Sequence, residues 1–83
     1  MNPINMRVLT LQHYGETETD NLEITLSAMS IKMIAAKDSI IQNRPIKETT
    51  ILFMDSETVE LNLNSLDYQQ LTGVVGAYGF FEE

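Results

Sequence analysis

The carboxy-terminal third of the chain carries the pattern that most constrains its fold. Residues 49–54 and 58–63 are two apolar-rich runs separated by Asp55-Ser56-Glu57. The second run alternates apolar and polar residues, which is typical of a half-exposed antiparallel strand. Its apolar side chains are Val59, Leu61 and Leu63. The pattern predicts a hairpin in which residues 49–54 form a central strand next to residues 58–63.

A helix is predicted directly after this hairpin, over residues 65–78. Asn64 or Ser65 can cap its first turn, where Asp67 complements the positive end of the helix dipole. Apolar residues then recur at helical spacing, at Leu71, Val74, Val75 and Tyr78. Gly79 follows them and can adopt the left-handed conformation that ends many helices.

The amino-terminal part reads as two strands joined by a solvated loop. Residues 7–14 have the composition of a strand, and residues 22–28 alternate strictly between apolar and polar side chains. Between them, residues 15–21 contain no apolar side chain and begin with Gly15. We therefore expect a charged loop between two strands of a sheet.

The middle of the chain is the least decisive segment. Residues 30–41 fit a strand and also a short helix, and the strand is preferred because residues 28–30 then form a short connection into it. Residues 37–47 contain Pro45, which lacks a donor and makes Arg44 extended. This segment is predicted to be a loop or an irregular sheet edge.

These elements predict a single α+β domain over residues 1–83. We expect four or five mostly antiparallel strands, with curling toward a barrel as an alternative, and one carboxy-terminal helix. A domain of this size has a thin core. The chain has no cysteine, so disulfides cannot add stability and self-association is the remaining common device.

Charge limits the classes of partner. Twelve acidic and five basic residues give a net charge of −7, which repels nucleic-acid phosphates and anionic lipids and favours a protein partner with a basic surface. Acidic balance can also serve solubility alone. The sequence has neither a signal-peptide pattern nor an apolar stretch of membrane-spanning length, and we expect a cytoplasmic protein.

The acidic residues of the first loop are the leading candidate for partner binding. Glu16, Glu18 and Asp20 have the spacing of the first ligands in a calcium loop. The match then fails, because Asn21 replaces the turn glycine and Ser27 replaces the bidentate glutamate. We therefore predict no metal site, and interpret the carboxylates as a recognition surface or a merely solvated tip. The predicted partner-binding residues are Glu16, Glu18, Asp20 and Glu23.

Two further sets of residues support an alternative, a homo-oligomer. Three of the five basic residues lie close together in the sequence, at Lys37, Arg44 and Lys47. They could bind an anion or nucleotide at a subunit junction. Glycines inside a helix lower its stability, which indicates a close approach to the sheet or to another subunit. Clustered aromatic residues either pack on the sheet or mark an interface. The predicted interface residues are Gly73, Gly76, Tyr78, Phe80 and Phe81.

Nothing in the sequence predicts catalysis or a cofactor. His13 is the only histidine, and no nucleophile motif accompanies it. The glycines at 73 and 76 are not followed by the lysine that a phosphate-binding loop requires. The leading hypothesis is a non-catalytic interaction protein that binds and inhibits a macromolecule, for example by occupying a basic, nucleic-acid-binding surface. In general appearance the chain resembles small accessory proteins of phages and mobile elements, a resemblance that rests on no motif.

Overall fold

A computed structural model describes residues 8–75 and 80–82 of the chain, with the backbone alone for residues 75 and 80–82. These residues form one helix and six strands in two sheets, so the predicted α+β class is confirmed. In chain order the elements are β1 (Val8–His13), β2 (Leu22–Ser27), β3 (Ile31–Ile41), β4 (Arg44–Phe53), β5 (Thr58–Leu63), α1 (Ser65–Val75) and β6 (Phe80–Glu82).

The two sheets differ in size and are not closed into a barrel, so the barrel-like alternative is wrong. β1 and β2 form an antiparallel pair, and the larger sheet has the order β5-β4-β3-β6. Within the larger sheet β3, β4 and β5 are antiparallel, whereas the short β6 runs parallel to β3. The predicted single sheet of four or five strands is therefore wrong, because the described residues form two sheets with six strands in total.

The hairpin of β4 and β5 is confirmed in detail. Ile51 pairs with Val59 and Thr49 with Leu61. β4 lies inside the sheet, between β3 and β5, as predicted for the central strand. Residues 54–56 make the turn, in which the Asp55 carboxylate accepts a hydrogen bond from the Glu57 N–H at 3.0 Å.

The strand interpretation of residues 30–41 is also confirmed, and a bulge explains their ambiguous pattern. Ile31 and Ile34 are both fully buried although they are three residues apart, a spacing that places residues of a regular strand on opposite faces. The register shifts between Ile31 and Met33, and the extra residue turns both isoleucines toward the core. A bulged strand can therefore imitate helical spacing.

Residues 37–47, predicted as a loop or an irregular sheet edge, are instead regularly paired parts of β3 and β4 on both sides of a two-residue turn. Gln42 and Asn43 have φ values of 56° and 60°, as in the type I′ turns that match strand twist. Pro45 is tolerated because β5 pairs with β4 only from Lys47 onward. Proline has no main-chain N–H group, and at Pro45 the position of that missing donor faces the space beyond the end of β5.

The helix begins at Ser65 as predicted, and Asn64 caps it. The Asn64 Oδ1 accepts a hydrogen bond from the Asp67 N–H at 2.7 Å. Leu71 is fully buried, and Tyr68 and Val74 pack against the core. That core contains side chains of both sheets, so α1 covers them together. The predicted helical residues 76–78 and the stop at Gly79 lie outside the described residues.

A polar seam joins the small sheet to β5 and α1. The Tyr14 N–H donates to the Asn62 carbonyl at 2.9 Å, and the Asn62 N–H donates to His13 Nδ1 at 3.0 Å. The Asn62 side-chain amide donates to the Tyr14 carbonyl at 3.0 Å, and the Gln12 N–H donates to the Asp67 carboxylate at 2.8 Å. The seam covers one edge of β1 and fixes the position of the loop that follows it.

Candidate functional site

The loop between β1 and β2 presents the predicted partner-binding carboxylates to solvent. Residues 16–20 are all exposed, and Glu18–Asp20 form a single 3-10 turn. The turn is closed by hydrogen bonds from the Asp20 N–H to the Thr17 carbonyl and from the Asn21 N–H to the Glu18 carbonyl, at 2.9 and 3.2 Å. We refer to residues 15–21 as the acidic loop.

Gln42, at the tip of the β3–β4 hairpin, clamps the base of the acidic loop. Its side-chain amide donates to the Gly15 carbonyl and to Asn21 Oδ1, both at 2.9 Å. Asn21 Oδ1 also accepts from the Gly15 N–H at 3.1 Å. One side chain from the larger sheet thus joins the two ends of the loop.

Gly15 is required here by a close approach of the chain to itself. A Cβ atom added at Gly15 would lie 2.3 Å from the Asp20 Cβ and 2.9 Å from the Asp20 carbonyl oxygen. Real Cβ atoms essentially never lie that close to another atom, so a side chain at position 15 would force the neighbouring atoms to move. The clamp, the 3-10 turn and Gly15 together define one closed conformation of the acidic loop.

The acidic residues of this region have no ion pair among the described residues. The ion pairs there join Lys37 to Glu48 at 3.7 Å and Lys47 to Asp38 at 2.6 Å, both in the β3–β4 hairpin. Glu23 is exposed on β2, opposite Gln12 of β1. The four predicted partner-binding residues therefore occupy one end of the small sheet, three in the loop and one at the start of the strand.

The structure does not bring the three predicted anion-binding residues together within one chain. Lys37 lies opposite Glu48 and Lys47 opposite Asp38. Lys37 and Lys47 nevertheless line one depression of about 350 Å³ together with Asp38 and Tyr68, and Arg44 is not among its lining residues.

Two of these cationic side chains also lie close to aromatic rings. The Arg44 guanidinium lies 5.3 Å from the centre of the Tyr14 ring, and the Lys47 ammonium lies 5.4 Å from that of Tyr68. Cation–π contacts of this kind stabilise exposed sites by about 0.5–1 kcal/mol. Arg44 and Lys47 therefore have intramolecular roles, which the sequence reading missed.

The predicted interface residues are only partly described. Gly73 is exposed on α1, and a Cβ added there meets no described atom within 4 Å. Among the described residues, no close approach therefore requires this glycine. Gly76 and Tyr78 lie outside the described residues, as do the side chains of Phe80 and Phe81, whose backbones form β6 beside β3.

One shallow depression of about 370 Å³ lies mainly on the face of the larger sheet that bears Lys37. Its charged lining residues are Lys37, Glu48 and Glu60, so acids outnumber bases and an anion is poorly matched. Among the described side chains, no buried nitrogen or oxygen lacks a hydrogen-bond partner, and no cluster of potential metal ligands occurs.

Sequence reasoning located the carboxylates but missed the residues that hold them in place. Gly15, Asn21 and Gln42 make the contacts that close the loop. The only sequence signal that Gln42 lies in a hairpin turn was its position before an asparagine in a stretch of strand-forming residues. That signal is weak, because two-residue hairpin turns usually contain a glycine.

Comparison of the chain with protein-family models, with curated proteins and with solved structures finds no match. Within the described residues, no helix has the length and apolar character needed to cross a bilayer.

Proposed function

We propose that this protein is a non-catalytic interaction protein that inhibits a macromolecular partner by binding its basic surface through the acidic loop and Glu23. One observation carries the proposal. The exposed carboxylates of the loop have no ion pair among the described residues, whereas Lys37 and Lys47 are each paired with an acid. The local negative charge is thus left for an external partner.

The closed conformation of the loop supports the same proposal. A loop that is already ordered loses less conformational entropy when it binds than a disordered one. The Gln42 clamp and the 3-10 turn supply that order. Charge complementarity at such a surface acts mainly on the association rate and on the choice of partner.

An inhibitor that occupies a nucleic-acid-binding surface is the concrete form of this proposal. Such surfaces are rich in lysine and arginine, which neutralise phosphates. An acidic protein with a net charge of −7 can occupy them in place of the nucleic acid. We place this activity in the cytoplasm, in keeping with a cysteine-free chain.

Two triple variants with the same net charge test the proposal. The loop variant is E16Q/E18Q/D20N, and the control D55N/E57Q/E60Q changes three exposed acids around the β4–β5 turn. Each triple includes one aspartate that accepts a hydrogen bond, and asparagine keeps the accepting oxygen. Each protein is immobilised, exposed to a lysate of the source cell, and its captured proteins are quantified by mass spectrometry.

We expect the wild type and the control to capture the same basic proteins, and the loop variant to lose them by about tenfold or more. An equal loss in both variants would mean that total charge, rather than the loop, determines capture. Equal capture by all three proteins would show that the acidic loop is not the binding surface. Either of these results rejects the proposal.

A further inference from the structure

Among residues 8–75 and 80–82, β2 pairs only with β1 and is an edge of the small sheet. At the carboxy-terminal end of its partner β1, the other side of the strand is covered by the seam, where the N–H groups of Gln12 and Tyr14 donate to Asp67 and Asn62. Beyond β2, no strand follows among the described residues. β2 also lacks the lysine, proline or bulge that commonly protects an edge strand, and its one charged residue is Glu23.

The seam determines which main-chain groups of β2 point outward. Since the Gln12 N–H points away from β2, the main-chain groups of the residue opposite it, Glu23, point away from β1. Alternation extends this direction to Thr25 and Ser27. The outward edge therefore offers the N–H groups of these three residues and the C=O groups of Glu23 and Thr25 to an added strand, since Ser27 is the N-cap of the 3-10 turn Ala28–Ser30 and its C=O accepts within that turn.

The two faces beside this edge differ in chemistry. On one face Leu22, Ile24 and Leu26 form an apolar row, in which Leu22 is 56% exposed and the other two are partly buried against the core. On the other face lie Glu23, Thr25 and Ser27, and the acidic loop joins β2 at its first residue. An added strand would place alternate side chains beside an apolar row and a negatively charged one.

We infer that an extended segment of the partner, with alternating basic and apolar residues, adds to β2 as a further strand. Its main chain bonds to Glu23, Thr25 and Ser27, its apolar side chains lie beside Leu22 and Ile24, and its basic side chains lie toward the acidic residues. This inference rests on the proposed function, because it names the part of the partner that the same surface binds.

Charge argues for such a segment over a second copy of this chain. Two copies paired through β2 would bring together molecules that each carry a net charge of −7. A basic segment gains attraction at the same position. Charge therefore favours a basic segment over a second copy of this chain at the edge of β2.

The test uses a capped synthetic peptide of alternating lysine and valine, Lys-Val-Lys-Val-Lys-Val-Lys, and amide chemical shifts of the full chain. The control peptide, Lys-Lys-Val-Val-Val-Lys-Lys, has the same composition without alternation. Thr25→Pro removes one outward N–H without removing a bond to β1, and Thr25→Val keeps that N–H.

We expect the alternating peptide to shift the amides of residues 22–27 and to bind about tenfold more tightly than the control peptide. Thr25→Pro should reduce its affinity by a similar factor, whereas Thr25→Val should not. If Thr25→Pro does not fold, the comparison of the two peptides still decides.

Three results would overturn the inference. Equal binding of both peptides, with shifts confined to residues 16–20, would mean docking by charge alone and would leave the proposed function intact. Absence of binding by either peptide would reject strand addition, while the two triple variants judge the proposed function separately. Light scattering that shows a dimer dissociated by Thr25→Pro would assign the edge to a second copy.

Discussion

Gly15 is the residue on which the closed acidic loop depends most directly. Replacing it with alanine places a Cβ atom 2.3 Å from the Asp20 Cβ and 2.9 Å from its carbonyl oxygen. Because one of these neighbours is backbone, the loop itself has to move. Gly15→Ala should lower the free energy of unfolding by about 1–3 kcal/mol and speed amide exchange in residues 16–21.

Gly73→Ala is the matched control, with the opposite expected sign. An added Cβ there meets no atom of the described residues within 4 Å, and alanine stabilises a helix by about 0.5–1 kcal/mol relative to glycine. Urea denaturation of both variants measures the difference. Equal stability of Gly15→Ala and the wild type would contradict the described loop conformation.

At the scale of elements, the β3–β4 hairpin combines an unfavourable turn with a useful contact. Gln42 and Asn43 both adopt positive φ, which is costly for residues with a Cβ atom. Gln42 alone also clamps the acidic loop. Gln42→Gly relieves the turn but removes the clamp, whereas Asn43→Gly relieves the turn and keeps the clamp.

Amide exchange separates these two effects. We expect Gln42→Gly to speed exchange of residues 15–21 by about tenfold, the result of losing about 1–1.5 kcal/mol of local hydrogen bonding. Asn43→Gly should leave that exchange unchanged. If the two variants behave alike, the Gln42 amide does not order the loop.

The elements also show how far the sequence can predict this fold. The β4–β5 hairpin and the start of α1 were predictable because their signals are local: a two-residue alternation, a short turn and a cap. The β3–β4 hairpin was missed because its turn has no glycine and because Pro45 lies where β5 has already ended. Proline breaks a strand only where its missing donor is needed.

At the scale of the whole molecule, the seam makes the two sheets one unit. Its bonds join residues that are distant in sequence, such as His13 to Asn62 and Gln12 to Asp67. Such pairs have no periodicity, so neither the seam nor the split into two sheets could be predicted. The acidic residues of the candidate site were predictable because they lie close together in the sequence. The Gln42 clamp joins residues that are distant in sequence and was not predictable.

His13 tests the seam. His13→Leu leaves the Asn62 N–H without its acceptor in a partly buried position, at a cost of about 1–3 kcal/mol. His13→Asn is the control, because its Oδ1 can occupy the position of Nδ1. Urea denaturation should show a loss of stability for leucine and a smaller one for asparagine, and exchange of the Asn62 amide should follow the same order. Identical losses would mean that the hydrogen bond does not hold the sheets together.

Amide exchange of the full chain, free and saturated with the captured partner, tests whether a partner binds the acidic loop and the neighbouring edge of β2. We expect slower exchange in residues 15–27 and unchanged exchange in residues 44–63. Protection confined to residues 44–63 or to α1, with residues 15–27 unchanged, would contradict it.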